Sequence, residues 1–216
     1  MAERPVFLPC QIGGRLVDTV LVPFQWHPGM SAVQKKKNVA ELHHSAERSG
    51  YFPLLEISSK SDLEVGVKLS AFHQKIRVNG RETTVECAFQ GSKVFERGGP
   101  YIDLYEKTSR EAKKDDRLKG SGRLIGFIFE GEEFPLSPPT AFYDWLYINA
   151  LYAHRDWLRR LDRMAGFTDI EFNPAKSINC QARSCALFVA LSMRDRLDDA
   201  LQSFGAFLDV TQETFV

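Results

Sequence analysis

Residues 5–25 alternate apolar and polar positions around Gly13 and Gly14, with Phe7 and Leu8 before the pair and Leu16, Val17, Val20, Leu21 and Val22 after it. A period of two interrupted by Gly-Gly predicts a short hairpin with a Gly-Gly turn. From Ser31 the period lengthens. Val33, Val39, Leu42 and Ala46 fall roughly on one side of a helix that Gly50 and Pro53 close. Ile76 and Val78 ahead of Asn79-Gly80 predict a strand and a tight turn, followed by a compact helix from about Thr84 to Phe95. Residues 101–119 read as a helix broken by Gly120, Ser121 and Gly122. Leu124 to Phe129 reads as a strand, and Pro135, Pro138 and Pro139 mark a loop. The strongest helical stripe runs from Ala141 to Leu161 on Trp145, Ile148, Leu151, Tyr152 and Leu158. Residues 166–178 are loop-like, and Gln181 to Leu197 makes a last long helix. Helix outweighs strand, so the expected class is α+β, predominantly helical.

The chain of 216 residues is long enough for one substantial core. The expected division is an N-terminal extension, residues 1–50, built of the hairpin and its helix, packed on a core domain of residues 51–216. Lys plus Arg and Asp plus Glu number 28 each, which excludes a polycationic binder; any affinity for nucleic acid must come from a local patch. Residues 107–123 are one such patch, with a net charge of +4. No apolar run approaches the roughly 18–20 residues of a membrane span, and no secretory signal follows Met1, so a cytoplasmic protein is expected. The four cysteines (Cys10, Cys87, Cys180, Cys185) form no CxxC pair and read as reduced, mostly buried thiols. Neither a metal nor a cofactor is expected.

Chemistry concentrates between Thr84 and Phe95. On a helical wheel Val85, Ala88, Phe89, Ser92 and Phe95 share an arc of about 120°, and Glu86, Gln90 and Lys93 line its border. A carboxylate, an amide and an amine on one stripe can converge on one ligand. The adjoining apolar surface would desolvate Lys93 and lower its pKa, as a nucleophilic amine requires.

The order of elements adds to this. Gly66-Val67-Lys68-Leu69-Ser70-Ala71-Phe72 precedes Ile76 to Gly80 and then Val85-Glu86-Cys87-Ala88-Phe89-Gln90-Gly91-Ser92-Lys93. Asp169-Ile170-Glu171-Phe172 and Asn179 follow near the end. This resembles the NADAR (YbiA-like) family, whose signature is a Leu-Ser-Asn-Phe element, then Glu-His-x-Phe-Gln-x-x-Lys, and later Asp-x-x-Trp and Asn before a closing amphipathic helix. The Gln34-Lys35 helix and Phe142-Tyr143-Asp144-Trp145-Leu146 are similar to a bacterial antitoxin subgroup. Its partners are toxins of the DarT type, which ADP-ribosylate guanine in DNA. Cys87 stands where the family has His, Ala71 where it has Asn, and Phe172 where it has Trp.

The resemblance implies a YbiA-like helical core with a few short strands. It also implies a hydrolase that cleaves the N-glycosidic bond between ADP-ribose and guanine in DNA, without a cofactor or metal. Lys93, Glu86 and Asp169 are then the catalytic candidates. Ser70, Phe72, Phe89, Gln90, Phe172 and Asn179 are the substrate-binding ones. The implied partners are ADP-ribosylated DNA, ADP-ribose and a cognate toxin. Two alternatives stand beside this: an N-glycosidase for small riboflavin-pathway metabolites, and a module that neutralises its toxin by contact alone.

Overall fold

The computed structural model describes residues 1–212. Residues 213–216, the end of the expected core domain, lie outside the described residues. The chain opens with strands β1 (Ala2–Pro9) and β2 (Val17–Phe24), helix α1 (Ala32–Arg48), strand β3 (Leu54–Glu56) and helix α2 (Glu64–Lys68). There follow β4 (Lys75–Val78), β5 (Arg81–Thr84), α3 (Val85–Gly91), β6 (Lys93–Phe95), α4 (Ser109–Lys114) and α5 (Arg117–Gly120). Next come β7 (Leu124–Phe129), β8 (Glu132–Phe134) and α6 (Ala141–Tyr152). The last elements are α7 (Arg155–Leu158), β9 (Gly166–Thr168), α8 (Gln181–Met193), α9 (Leu197–Ala200) and α10 (Phe204–Gln212). The class is α+β. These elements form two compact units, one of residues 71–153 and one of residues 1–70 with those from 154 on.

In the second of these units the strand order is β2-β1-β9-β3. β1 and β2 pair antiparallel from Ala2↔Phe24 to Pro9↔Val17. The hairpin is there, but its connection spans residues 10–16 rather than a two-residue Gly-Gly turn, and Cys10 N–H closes it on the Leu16 carbonyl at 2.9 Å. β9 joins β1 at Phe7↔Phe167 and runs parallel to β3 from Leu54↔Gly166 to Glu56↔Thr168. Ser31 caps α1 by accepting from Gln34 N–H at 3.2 Å. The helix buries Asn38, Val39, Leu42, Ser45 and Ala46, spacings that put one stripe against Val6, Val22, Phe24, Leu54 and Ile170. Val33, expected on that stripe, is exposed instead, because it lies in the first turn, ahead of the apolar face.

In the 71–153 unit, β4 and β5 pair through the Asn79-Gly80 turn, whose φ angles of 48° and 79° suit these two residues. β6, β7 and β8 make a second antiparallel sheet. The helix expected over residues 101–119 is three pieces. A 3-10 turn, Ile102–Glu106, ends before Thr108, whose capping box with Glu111 starts α4 afresh, and Asp115 and Asp116 separate α4 from α5. The long helix expected to Leu161 stops at Tyr152. Up to there nearly every side chain is buried, whereas 153–157 are exposed, so the packing that held the helix is gone. The loop expected over 166–178 contains β9, and the final helix ends at Met193. Cys87, Cys180 and Cys185 are buried, Cys10 is half-buried, and all four are free thiols. Among the described residues no helix is long and apolar enough to cross a membrane.

Candidate functional site

α3 begins where Thr84, its N-cap, accepts from Cys87 N–H at 3.2 Å. The Thr84 hydroxyl meets that of Ser109 at 2.8 Å, Ser109 donates to the Phe72 carbonyl at 2.9 Å, and Glu86 N–H donates to the Ala71 carbonyl at 3.0 Å. The Ala71-Phe72 segment, the α3 start and the α4 start are thereby tied together. Every residue of α3 is buried, including Glu86 (5% exposed) and Gln90 (7% exposed). The helix stops at Gly91 rather than running on to Phe95. Ser92 ends it: its hydroxyl bonds the Ala88 carbonyl at 2.7 Å, and its own carbonyl accepts from Ile128 N–H at 2.8 Å, which starts pairing with β7. Lys93 is therefore the first residue of β6, opposite Phe127.

The acid, the amide and the amine nonetheless converge. Lys93 Nζ donates to Gln90 Oε1 at 2.7 Å, and Gln90 Nε2 donates to Glu86 Oε1 at 2.9 Å. The two bonds fix which way the Gln90 amide faces. Lys93 Nζ lies 4.7 Å from the centre of the Phe89 ring, which packs edge-on against Tyr143 at 5.0 Å and beside Phe127 at 5.5 Å. Burial among these rings lowers the Lys93 pKa to about 8; the Glu86 charge opposes that shift and the Lys113 charge adds to it. Lys113, one of the cations of the 107–123 patch, extends from α4 to 3.9 Å from Glu86 Oε1 and 5.1 Å from the Phe72 ring centre. A half-desolvated amine beside a hydrogen-bonded carboxylate can add to an electrophilic carbon and exchange protons while doing so.

Gly99 holds the start of β6 in place. Its φ is +87°, and a Cβ there would sit 2.2 Å from the Lys93 carbonyl oxygen. Gly99→Ala is therefore expected to cost about 1–3 kcal/mol of stability in denaturant unfolding. A loss under about 0.5 kcal/mol would show that β6 is not held there.

The remaining sequence-based candidates belong to the other unit. Asp169 is 8% exposed; its Oδ1 accepts from Glu171 N–H at 3.0 Å and its Oδ2 from Gln181 Nε2 at 2.9 Å. Phe172 N–H closes the same turn on the Asp169 carbonyl at 3.1 Å, and its half-buried ring lies 6.3 Å from that of Phe7. Asn179 precedes α8 and holds a buried side-chain oxygen without a hydrogen-bond partner. Ser70 is buried, with its hydroxyl donating to the Val67 carbonyl at 2.8 Å. Glu56 is the acid that pattern-reading missed. It is 2% exposed, and burial followed by the charge of Asp169 raises its pKa to about 8. One signal was present: an acid inside the apolar run Leu54-Leu55-Glu56-Ile57.

The sequence model of the family described as DarT1-associated NADAR antitoxin matches residues 2–216. No curated protein matches the chain.

Proposed function

The chain belongs to the NADAR family of DarT1-associated antitoxins, and we propose that it reverses the toxin's modification by hydrolysing the N-glycosidic bond between ADP-ribose and guanine in DNA. The observation that carries this reading is the hydrogen-bonded series Glu86–Gln90–Lys93 ending in an amine of lowered pKa.

Cleavage of a glycosidic bond develops positive charge on the sugar's anomeric carbon. The lone pair of neutral Lys93 Nζ adds to that carbon while the bond to guanine breaks and its electron pair leaves with the guanine nitrogen. The new ammonium gives a proton to Glu86, and Glu86 passes it to the departing guanine. Ring opening turns the ribosyl-amine into an imine. Water adds to it, and elimination of Lys93 releases ADP-ribose and regenerates the amine. Gln90 holds the amine towards Glu86, and Phe89 keeps its surroundings dry. Lys113 supplies a cation for the diphosphate. Asp169 as a second acid, Phe172 as a surface for sugar or base, and Ser70, Phe72 and Asn179 as positioning groups are supported by the family pattern alone. Each is tested by its own alanine variant. Because the reacting atoms are out of reach inside a duplex, the modified base must be flipped out or met in a single strand.

The test is incubation with DNA carrying ADP-ribosyl-guanine, with and without borohydride. Release of ADP-ribose, together with a borohydride-trapped adduct that Lys93→Ala loses, is the expected result. Intact substrate after prolonged incubation, or hydrolysis of small nucleosides with no response to DNA, overturns it.

A pH dependence follows. Lys93 attacks only as the neutral amine, and its pKa lies near 8, below the ordinary lysine value. The rate of adduct formation is expected to rise about tenfold per pH unit below that point and to level off above it. A profile flat from pH 6 to 9 would remove the amine from the rate-determining step.

A further inference from the structure

We infer that the outer face of residues 155–163 is a docking surface for single-stranded DNA, with Trp157 as the platform for a base and Arg159, Arg160 and Arg163 as the phosphate contacts. The inference rests on the proposed hydrolase reading only in taking DNA as the nucleic acid.

α7 (Arg155–Leu158) and the 3-10 turn Arg159–Arg163 follow one another without a break. Leu158 and Leu161 are buried, which fixes the inner side of the segment. Arg155, Trp157, Arg159, Arg160 and Arg163 are all exposed on its outer side. Trp157 is 45% exposed, so nearly half of a large aromatic side chain meets water. The Arg160 guanidinium lies over the indole, 4.1 Å from the ring centre, and its Nε donates to the Trp157 carbonyl at 2.9 Å. The two contacts hold cation and ring together in one place. A second exposed ring stands where the turn ends. Phe52, 65% exposed, precedes Pro53, whose carbonyl accepts from Ala165 N–H at 2.8 Å.

The charge on this face is not spent on acids of the chain. Surface arginines such as Arg81, Arg117 and Arg123 are held in ion pairs, by Glu106, by Asp103 with Asp115, and by Glu96. Among the described residues, Arg159, Arg160 and Arg163 close no such pair. Of the two acids in the segment, Asp162 is half-buried with its Oδ1 covered, which leaves Asp156 as the exposed one. Three guanidiniums thus keep their charge for an external anion at any ordinary pH. Cations beside an exposed ring match a single strand, whose phosphates and base faces are both open. A duplex keeps its base faces stacked inside and gives the indole nothing to pack on.

The experiment is fluorescence anisotropy of a labelled oligo-dT of about 16 nucleotides, titrated with the full chain over a series of salt concentrations. The probe carries no modified base, so failure here is distinct from a failure to release ADP-ribose. Trp157→Ala is expected to weaken binding about tenfold, and Trp157→Phe to keep most of it, because a phenyl ring still stacks. Arg159→Ala combined with Arg163→Ala is expected to lower the slope of log K against log salt by about 1.4, the share of two phosphate contacts on a single strand. These side chains are exposed, so the unfolding midpoints of the variants are expected to stay at the wild-type value. Oligo-dT left free by wild type, an unchanged slope in the double variant, or equal affinities for Trp157→Ala and wild type overturns the inference. Binding of phosphatidylglycerol vesicles without binding of oligo-dT assigns the surface to a membrane and also overturns it.

Discussion

If the proposed hydrolysis runs through the amine, Lys93→Ala is expected to lower the rate of ADP-ribose release by about three orders of magnitude or more and to leave the protein folded. Lys93→Arg is expected to do the same, because a guanidinium stays protonated and offers no lone pair. Lys93→Met separates chemistry from packing, since it keeps the stem against Phe89 and removes only the amine. The native state lowers the lysine pKa from 10.5 to about 8, so it penalises the proton that the unfolded chain keeps. That penalty is complete below pH 8 and disappears as pH rises to 10.5, so stability from this group increases across that window. Lys93→Met is therefore expected to be more stable than wild type at pH 7, by up to about 3 kcal/mol, with the difference gone above pH 10.5. Release assays and denaturant unfolding at the two pH values check both halves. Wild-type release rates in Lys93→Met would sink the covalent route.

Phe142→Ala has the largest expected effect on stability, a loss of about 3–5 kcal/mol in urea unfolding. Phe142 is fully buried on α6, with its ring centre 4.5 Å from that of Phe127 and 4.8 Å from that of Phe134. It also stacks behind Phe89 at 6.3 Å, and Phe89 carries the Lys93 amine. The cavity left by the ring strips contacts from β7 and β8 and from the surface that desolvates Lys93. A second consequence follows: the rising limb of the pH–rate profile moves to higher pH as water reaches the amine and its pKa returns towards the lysine norm. Phe142→Leu fills much of the space and is expected to lose less than half as much stability. A cost below about 1 kcal/mol for the alanine variant would show that the ring is not central to this core.

What the sequence revealed depended on how local the cause was. The Asn79-Gly80 turn, the start of α1 after Ser31 and the strand from Leu124 are set by neighbouring residues, and pattern-reading found them. Glu86, Gln90 and Lys93 were grouped by helical spacing, and they do converge, but for a partly different reason. The helix ends at Gly91, and a hydrogen-bonded amide rather than a third turn joins Lys93 to the rest. β9 was missed because three residues carry no readable period; its identity lies in the partners Phe7 and Leu54 to Glu56, far away in the chain. Glu56 was missed for the same cause. An acid survives burial there only because Ser58, Thr168 and Ile170 meet it, and two of those three arrive from a distant segment.

The central position of β9 in its sheet has a consequence for biosynthesis. Residues 71–153 are one unbroken stretch and can pack as soon as they clear the ribosome, because the contacts inside this unit need no residue translated later. β1 and β3 emerge earlier, yet the strand that lies between them is translated more than a hundred residues later than β3. Until then the β1–β2 hairpin presents an unpaired edge on its β1 side. A nascent chain halted after residue 153 has emerged and before residue 166 has would thus carry both a finished amine-bearing unit and an open strand, the species that chaperones are most apt to hold.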